Sequence, residues 1–148
     1  MPTLGSEDSA WMLAHGQTVD VTVIGTSMEP TIPVGTTVVV APLAPDEPLA
    51  LGDVVLFIVK QPPALVVHRV VGLVEEGPVT RVFHGGERAR WAARIDRARI
   101  LGRVLGVRAE RGVVAMAPLG MRAHARLRLL QLQSRVRRWG ARAVGRRG

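Results

Sequence analysis

Two side chains in this sequence have the chemistry of a nucleophile and a base. Ser27 lies in Gly25-Thr26-Ser27-Met28-Glu29-Pro30, and His68 in Val66-Val67-His68-Arg69-Val70-Val71. A serine hydroxyl is a poor nucleophile at neutral pH and needs a neighbouring base. An imidazole, with an ordinary pKa of about 6.5, suits that role. Cysteine is absent, which excludes thiol catalysis, disulfides, Cys-ligated zinc and iron–sulfur clusters. Lys60 is the only lysine and so the one alternative lysine base. His84 is a second candidate imidazole. No metal or other cofactor is expected.

These groups need elements that bring them together. Ser27 sits in a turn that can expose its oxygen, and Pro30 stiffens the backbone just after it. His68 interrupts a Val-rich strand that must cover something apolar on one face. A strand pairing beside the Ser27 turn could bring the two within hydrogen-bond reach. From Thr18 to about Met116 the pattern is β. Val19, Val21 and Val23 alternate with Asp20, Thr22 and Ile24. Thr36–Ala41, Asp53–Val59, Leu65–Val74, Val79–Phe83, Ile100–Val107 and Val113–Met116 are further strands, rich in Val and Ile. Gly and Pro punctuate them, at Pro33-Val34-Gly35, Pro42 to Pro48, Gly52-Asp53, Pro62-Pro63, Gly77-Pro78 and Gly85-Gly86. Arg88 to Arg99 reads as a basic stretch holding a helical turn. The fold class is therefore mainly β, a compact, coiled or barrel-like antiparallel domain over 18–117. A short helical lead-in precedes it over 1–17, with Ser6 as N-cap and Gly16 as stop.

Three segments in this order resemble the catalytic domain of type I signal peptidases and the LexA-type self-cleaving peptidases. Ser27-Met28-Glu29-Pro30 resembles their nucleophile box, Gly52-Asp53-Val54-Val55 the following strand box, and His68-Arg69-Val70-Val71 the base box. A histidine followed by Arg is similar to the archaeal and endoplasmic-reticulum branch. The resemblance spans Val19 to Val107 and implies a serine endopeptidase that cleaves a precursor, leader or signal peptide, with a preference for small residues on the acyl side of the cut. Ser27 would attack and His68 would be the general base. The oxyanion would be held by the backbone amide of Ser27 and its turn, or by Thr26, because Gly25 stands where bacterial signal peptidases carry a hydroxyl. Met28 and Pro30 would lie at the substrate cleft; the plain alternative for Met28 is a core position. In the late box, Glu87 falls where the family has a Gly-Asp carboxylate, and Asp96 is the next acid. Either would orient His68, or pair with Arg88, Arg94 or Arg97 at the surface. A non-catalytic, peptide-binding member of the same fold is the alternative.

The charge bears on partners. The formal net charge is +8, and nineteen of twenty basic residues are Arg. Met121 to Val144 repeats Ala125, Leu129, Leu132, Val136, Trp139 and Ala143 at helical spacing among arginines. This predicts a basic amphipathic helix within 118–148, ending in a disordered tail. Its apolar stripe would pack on the β domain or lie on an anionic membrane. The apolar runs Val38–Ala41 and Val54–Val59 are far short of the ~20 residues that span a bilayer. Met1 to Ala10 lacks the basic start of a signal peptide. A cytoplasmic location, peripheral to the membrane if the helix binds lipid, is the expectation. Nucleic acid fits poorly. The 17 residues before the β region are too few for a separate helix-turn-helix domain, and aromatic residues for stacking are only 3% of the chain. A basic peripheral membrane or nucleic-acid adaptor remains a third reading.

Overall fold

The computed structural model describes residues 5–61 and 63–116. Over these, the chain forms one short helix and a single open antiparallel sheet. The helix α1 covers Ser6–Ala14. The strands are β1 Val19–Thr22, β2 Thr37–Pro42, β3 Val54–Lys60, β4 Pro63–Glu76, β5 Val79–Gly85, β6 Ala93–Asp96, β7 Ile100–Ala109 and β8 Gly112–Val114. The spatial order is β1-β2-β7-β3-β4-β5-β6, with β8 paired to β7. All pairings are antiparallel. The predicted basic helix over 121–144 and the boundary at 117/118 lie outside the described residues. Among those described, no helix is long and apolar enough to cross a membrane.

The expected strands form, with boundaries shifted by at most two residues. Two differences have physical causes. Gly5, not Ser6, caps α1: it is extended, and its amide donates to the Asp8 carboxylate at 3.2 Å. The stretch Arg88 to Arg99 is mostly not helical. It holds edge strand β6, paired along β5, and then one 3₁₀ turn at Arg97–Arg99. The pull of an unpaired β5 edge outweighs the weak helical bias of an Ala- and Arg-rich segment.

Alternation along the strands divides the apolar residues between two faces. Val54, Leu56 and Val67 pack with Val38, Val40, Met28 and Ile32 in one core. Val55, Phe57, Val70, Val82, Ile95 and Ile100 form the other. Three register shifts interrupt the ladders, between Val39 and Val40, Leu56 and Phe57, and Val70 and Gly72. Each adds twist and re-aims the side chains beyond it. The shift at Val70/Gly72 decides the geometry of the candidate site.

Candidate functional site

The Ser27 segment is a loop closed at its base. The Val23 amide donates to the Thr36 carbonyl (2.9 Å) and the Gly35 amide to the Val23 carbonyl (2.7 Å). Gly35 closes it with φ +86°, a left-handed conformation that favours glycine. Within the loop the Glu29 amide donates to the Thr26 carbonyl and the Ile32 amide to the Met28 carbonyl. Met28 and Ile32 are driven into the core, and burial of each stabilises the loop by roughly 1.5–3 kcal/mol. Met28, at 1% exposure, is a core residue and does not line an open cleft. Thr26, Ser27 and Pro30 are exposed. The Ser27 hydroxyl and amide have no hydrogen-bond partner among the described residues, so both are free to meet a ligand.

The loop docks on the end of β5. The Glu87 amide donates to the Ser27 carbonyl at 2.7 Å. A side chain on Gly86 would collide with that same carbonyl and come within 3.0 Å of Ser27 Cβ. Only glycine permits this approach. In the β4–β5 ladder Val70 faces His84 and Arg69 faces Gly85. Gly86 lies one residue beyond the last pair, outside the ladder. Directly opposed residues project to the same side of a ladder. Val70 thus puts His84 on the side that carries His68, while the contact at Gly86 seats the Ser27 turn at the end of β5; Ser27 and His68 share no hydrogen bond.

His68 meets a second imidazole. Its Nδ1 lies 3.0 Å from the Nδ1 of His84. Phe57 holds both rings, edge-on to His68 at 5.9 Å and tilted against His84 at 4.6 Å between centroids. Burial pushes the His68 pKa below 6.5. Burial, and then the proximity of His68, push His84 down to about 4. Both rings are thus neutral near pH 7, and one must donate its Nδ1–H to the other.

Neither expected acid is hydrogen-bonded to His68. Glu87 pairs with Arg69, whose Nη2 and Nε approach one carboxylate oxygen at 2.5 and 2.9 Å. The reason is alternation: Arg69 and Glu87 project to the face opposite His68. Asp96 accepts from the Ala98 amide at 3.0 Å and caps the 3₁₀ turn. Asp53 accepts from the Ala50 amide in the turn entering β3. Lys60 is not placed to act as base. His68 pairs with Val55, and Lys60 lies five residues further along β3, roughly 17 Å away. No group of three or more acidic or histidine side chains suited to a metal occurs among the described residues.

The roles of two residues in this region escaped the sequence reading, which named His84 only as a second candidate base and Arg69 only as the residue following His68. His84 falls outside the expected strand Val79–Phe83, and strand β5 extends to include it. Arg69 ties three segments together: besides Glu87 it donates to the Gly52 carbonyl at 2.7 Å. The available signal for Arg69 was a charge inside a Val-rich strand, which must be paired if buried. Arg69→Leu leaves Glu87 nearly buried and unpaired, so unfolding free energy should fall by about 3 kcal/mol. Arg69→Leu/Glu87→Leu should recover part of that loss. Urea denaturation of the two variants measures both effects.

Compared with known proteins, the chain matches no protein-family model and no curated protein. The resemblance to signal peptidases rests on the three short motifs alone.

Proposed function

We propose that the protein is a serine endopeptidase that cleaves a precursor, leader or signal peptide, with Ser27 as nucleophile and His68 as general base. One observation carries this reading: the Ser27 turn is seated on Gly86, two residues along the chain from His84, whose ring is hydrogen-bonded to His68, and the Ser27 hydroxyl is exposed and unpaired among the described residues. Ser27 Oγ forms a bond to the scissile carbonyl carbon as its proton passes to His68 Nε2. The oxyanion accepts from the free Ser27 amide and its turn. The carbon–nitrogen bond then breaks, and His68 returns the proton to the leaving amine. Water attacks the resulting ester, again giving a proton to His68, and Ser27 is released with its hydroxyl restored. In the free protein the nucleophile and base need not yet share a hydrogen bond, because such contacts tighten when substrate binds.

The test is incubation of the full chain with a peptide library rich in small residues, read by mass spectrometry. Cleavage lost in Ser27→Ala is the expected result. Cleavage unchanged in that variant overturns the reading. Peptides bound but never cut would favour the non-catalytic alternative.

The pH profile is a second expectation. The base must be neutral to accept a proton, so kcat/KM falls as acid protonates His68. Burial favours the neutral ring, and among the described residues no carboxylate is hydrogen-bonded to it. The other ionisable group facing it is His84, while Arg69 and Glu87 lie on the opposite face and neutralise each other. The acid limb should have its midpoint below 6.5, and activity should hold steady from there to neutrality. A midpoint above 6.5 would mean an acidic partner.

A further inference from the structure

We propose that His84 is the positioning residue of this site: its Nδ1 accepts the His68 Nδ1–H and so holds His68 in the tautomer whose Nε2 carries the lone pair. The functional meaning rests on the peptidase reading, while the tautomer assignment rests on the hydrogen bond between the two rings and on their unequal exposure. In histidine-based peptidases this place belongs to an acid. Here both nearby acids are engaged elsewhere, Glu87 with Arg69 and Asp96 with the Ala98 amide. Among the described residues, the one side chain hydrogen-bonded to His68 is His84.

Two arrangements of the pair are possible, and they differ in consequence. If His84 donated, His68 would carry its proton on Nε2 and could take none from Ser27. If His68 donates, its Nε2 is free to accept, and His84 carries its own proton on Nε2. Burial distinguishes the rings. His84 is 6% exposed, whereas His68 is only half-buried. The more deeply buried ring is the harder to protonate, with its pKa near 4, and therefore stays a neutral acceptor when its partner becomes cationic. The Nδ1–H to Nδ1 bond then gains charge assistance at the moment His68 holds the Ser27 proton. The ring of Phe57 restrains both imidazoles, so the pair is held before substrate binds. His68 faces Val55 on β3 and His84 faces Ala93 on β6. Neither residue bears a charge.

The decisive experiment is a long-range proton–nitrogen correlation spectrum of the full chain, labelled with nitrogen-15, at neutral pH. It should show His68 protonated at Nδ1 and bare at Nε2, and His84 the reverse. The opposite arrangement, or Nε2–H on both rings, overturns the proposal. This readout needs no substrate, so it is independent of whether Ser27 cleaves anything. His84→Asn keeps an acceptor oxygen and should preserve the His68 tautomer; His84→Ala should lose it. On any peptide that the wild type cuts, His84→Ala should lower kcat by about 10²-fold or more with KM little changed. His84→Asp should restore kcat and raise the midpoint of the acid limb, because a carboxylate stabilises the His68 cation. Full kcat in His84→Ala would overturn the positioning role even if Ser27→Ala abolished cleavage. Cleavage unaffected by Ser27→Ala would end the peptidase reading and leave the tautomer result standing.

Discussion

Ser27→Ala and His68→Ala should each lower kcat by about 10⁴-fold or more, and the double variant should lose no more than the worse single one. The reason is that the two groups act in one step. Without the hydroxyl there is nothing for the imidazole to deprotonate, and without the imidazole the hydroxyl keeps its proton. Independent contributions would multiply instead. The folding cost separates chemistry from structure. Ser27 is exposed and its hydroxyl is unpaired, so Ser27→Ala should change stability by less than about 0.5 kcal/mol. His68→Ala leaves the His84 Nδ1 without its partner and should cost about 1–3 kcal/mol. Steady-state kinetics on a cleaved peptide, paired with denaturant titration, checks both statements. Losses that multiply in the double variant would show that Ser27 and His68 do not work as a unit.

Gly86→Val should remove most activity without touching either catalytic group. Its Cβ alone would overlap the Ser27 carbonyl, and that carbonyl is held by the Glu87 amide. The loop must move, and it carries Ser27 with it. A displacement of about 1 Å in such a site costs about 10²-fold in rate. Gly86 lies just beyond the end of β5, so the ladder is spared and stability should fall by only about 1–3 kcal/mol. Kinetics and thermal unfolding of the same sample test the separation. Unaltered kcat in a folded Gly86→Val protein would show that the Gly86 contact does not position the nucleophile.

Several parts of the site could be read from residue order. The loop around Ser27 is bounded by Gly25 and by Pro33-Val34-Gly35, and Val-rich strands flank it. Local chemistry sets such features: β-branched residues favour extended backbone, and Gly and Pro favour turns. His68 in the strand Leu65–Val74 is legible in the same way. The acid partner was not. Glu87 follows Gly85-Gly86 as an orienting carboxylate would, but its side chain points to the Arg69 face. Sequence distance says nothing about which side of a sheet a residue beyond a strand end will face.

The His68–His84 pairing depends on a single extra residue. The turn at Gly77-Pro78 pairs Glu76 with Val79, and that register runs unbroken to Gly72 and Phe83. Carried straight on, it would set His84 opposite Val71, on the side away from His68. The bulge moves His84 opposite Val70 and onto the same side. A period-two reading of Val66 to Val74 cannot reveal that slip, because each half of β4 alternates correctly by itself. Residue type alone thus established a mainly β domain and offered a serine and an imidazole as candidate partners. Which ring meets His68, and that Glu87 pairs with Arg69, were decided by the tertiary structure: the register shift between Val70 and Gly72 sets what faces His68, and alternation turns Arg69 the other way.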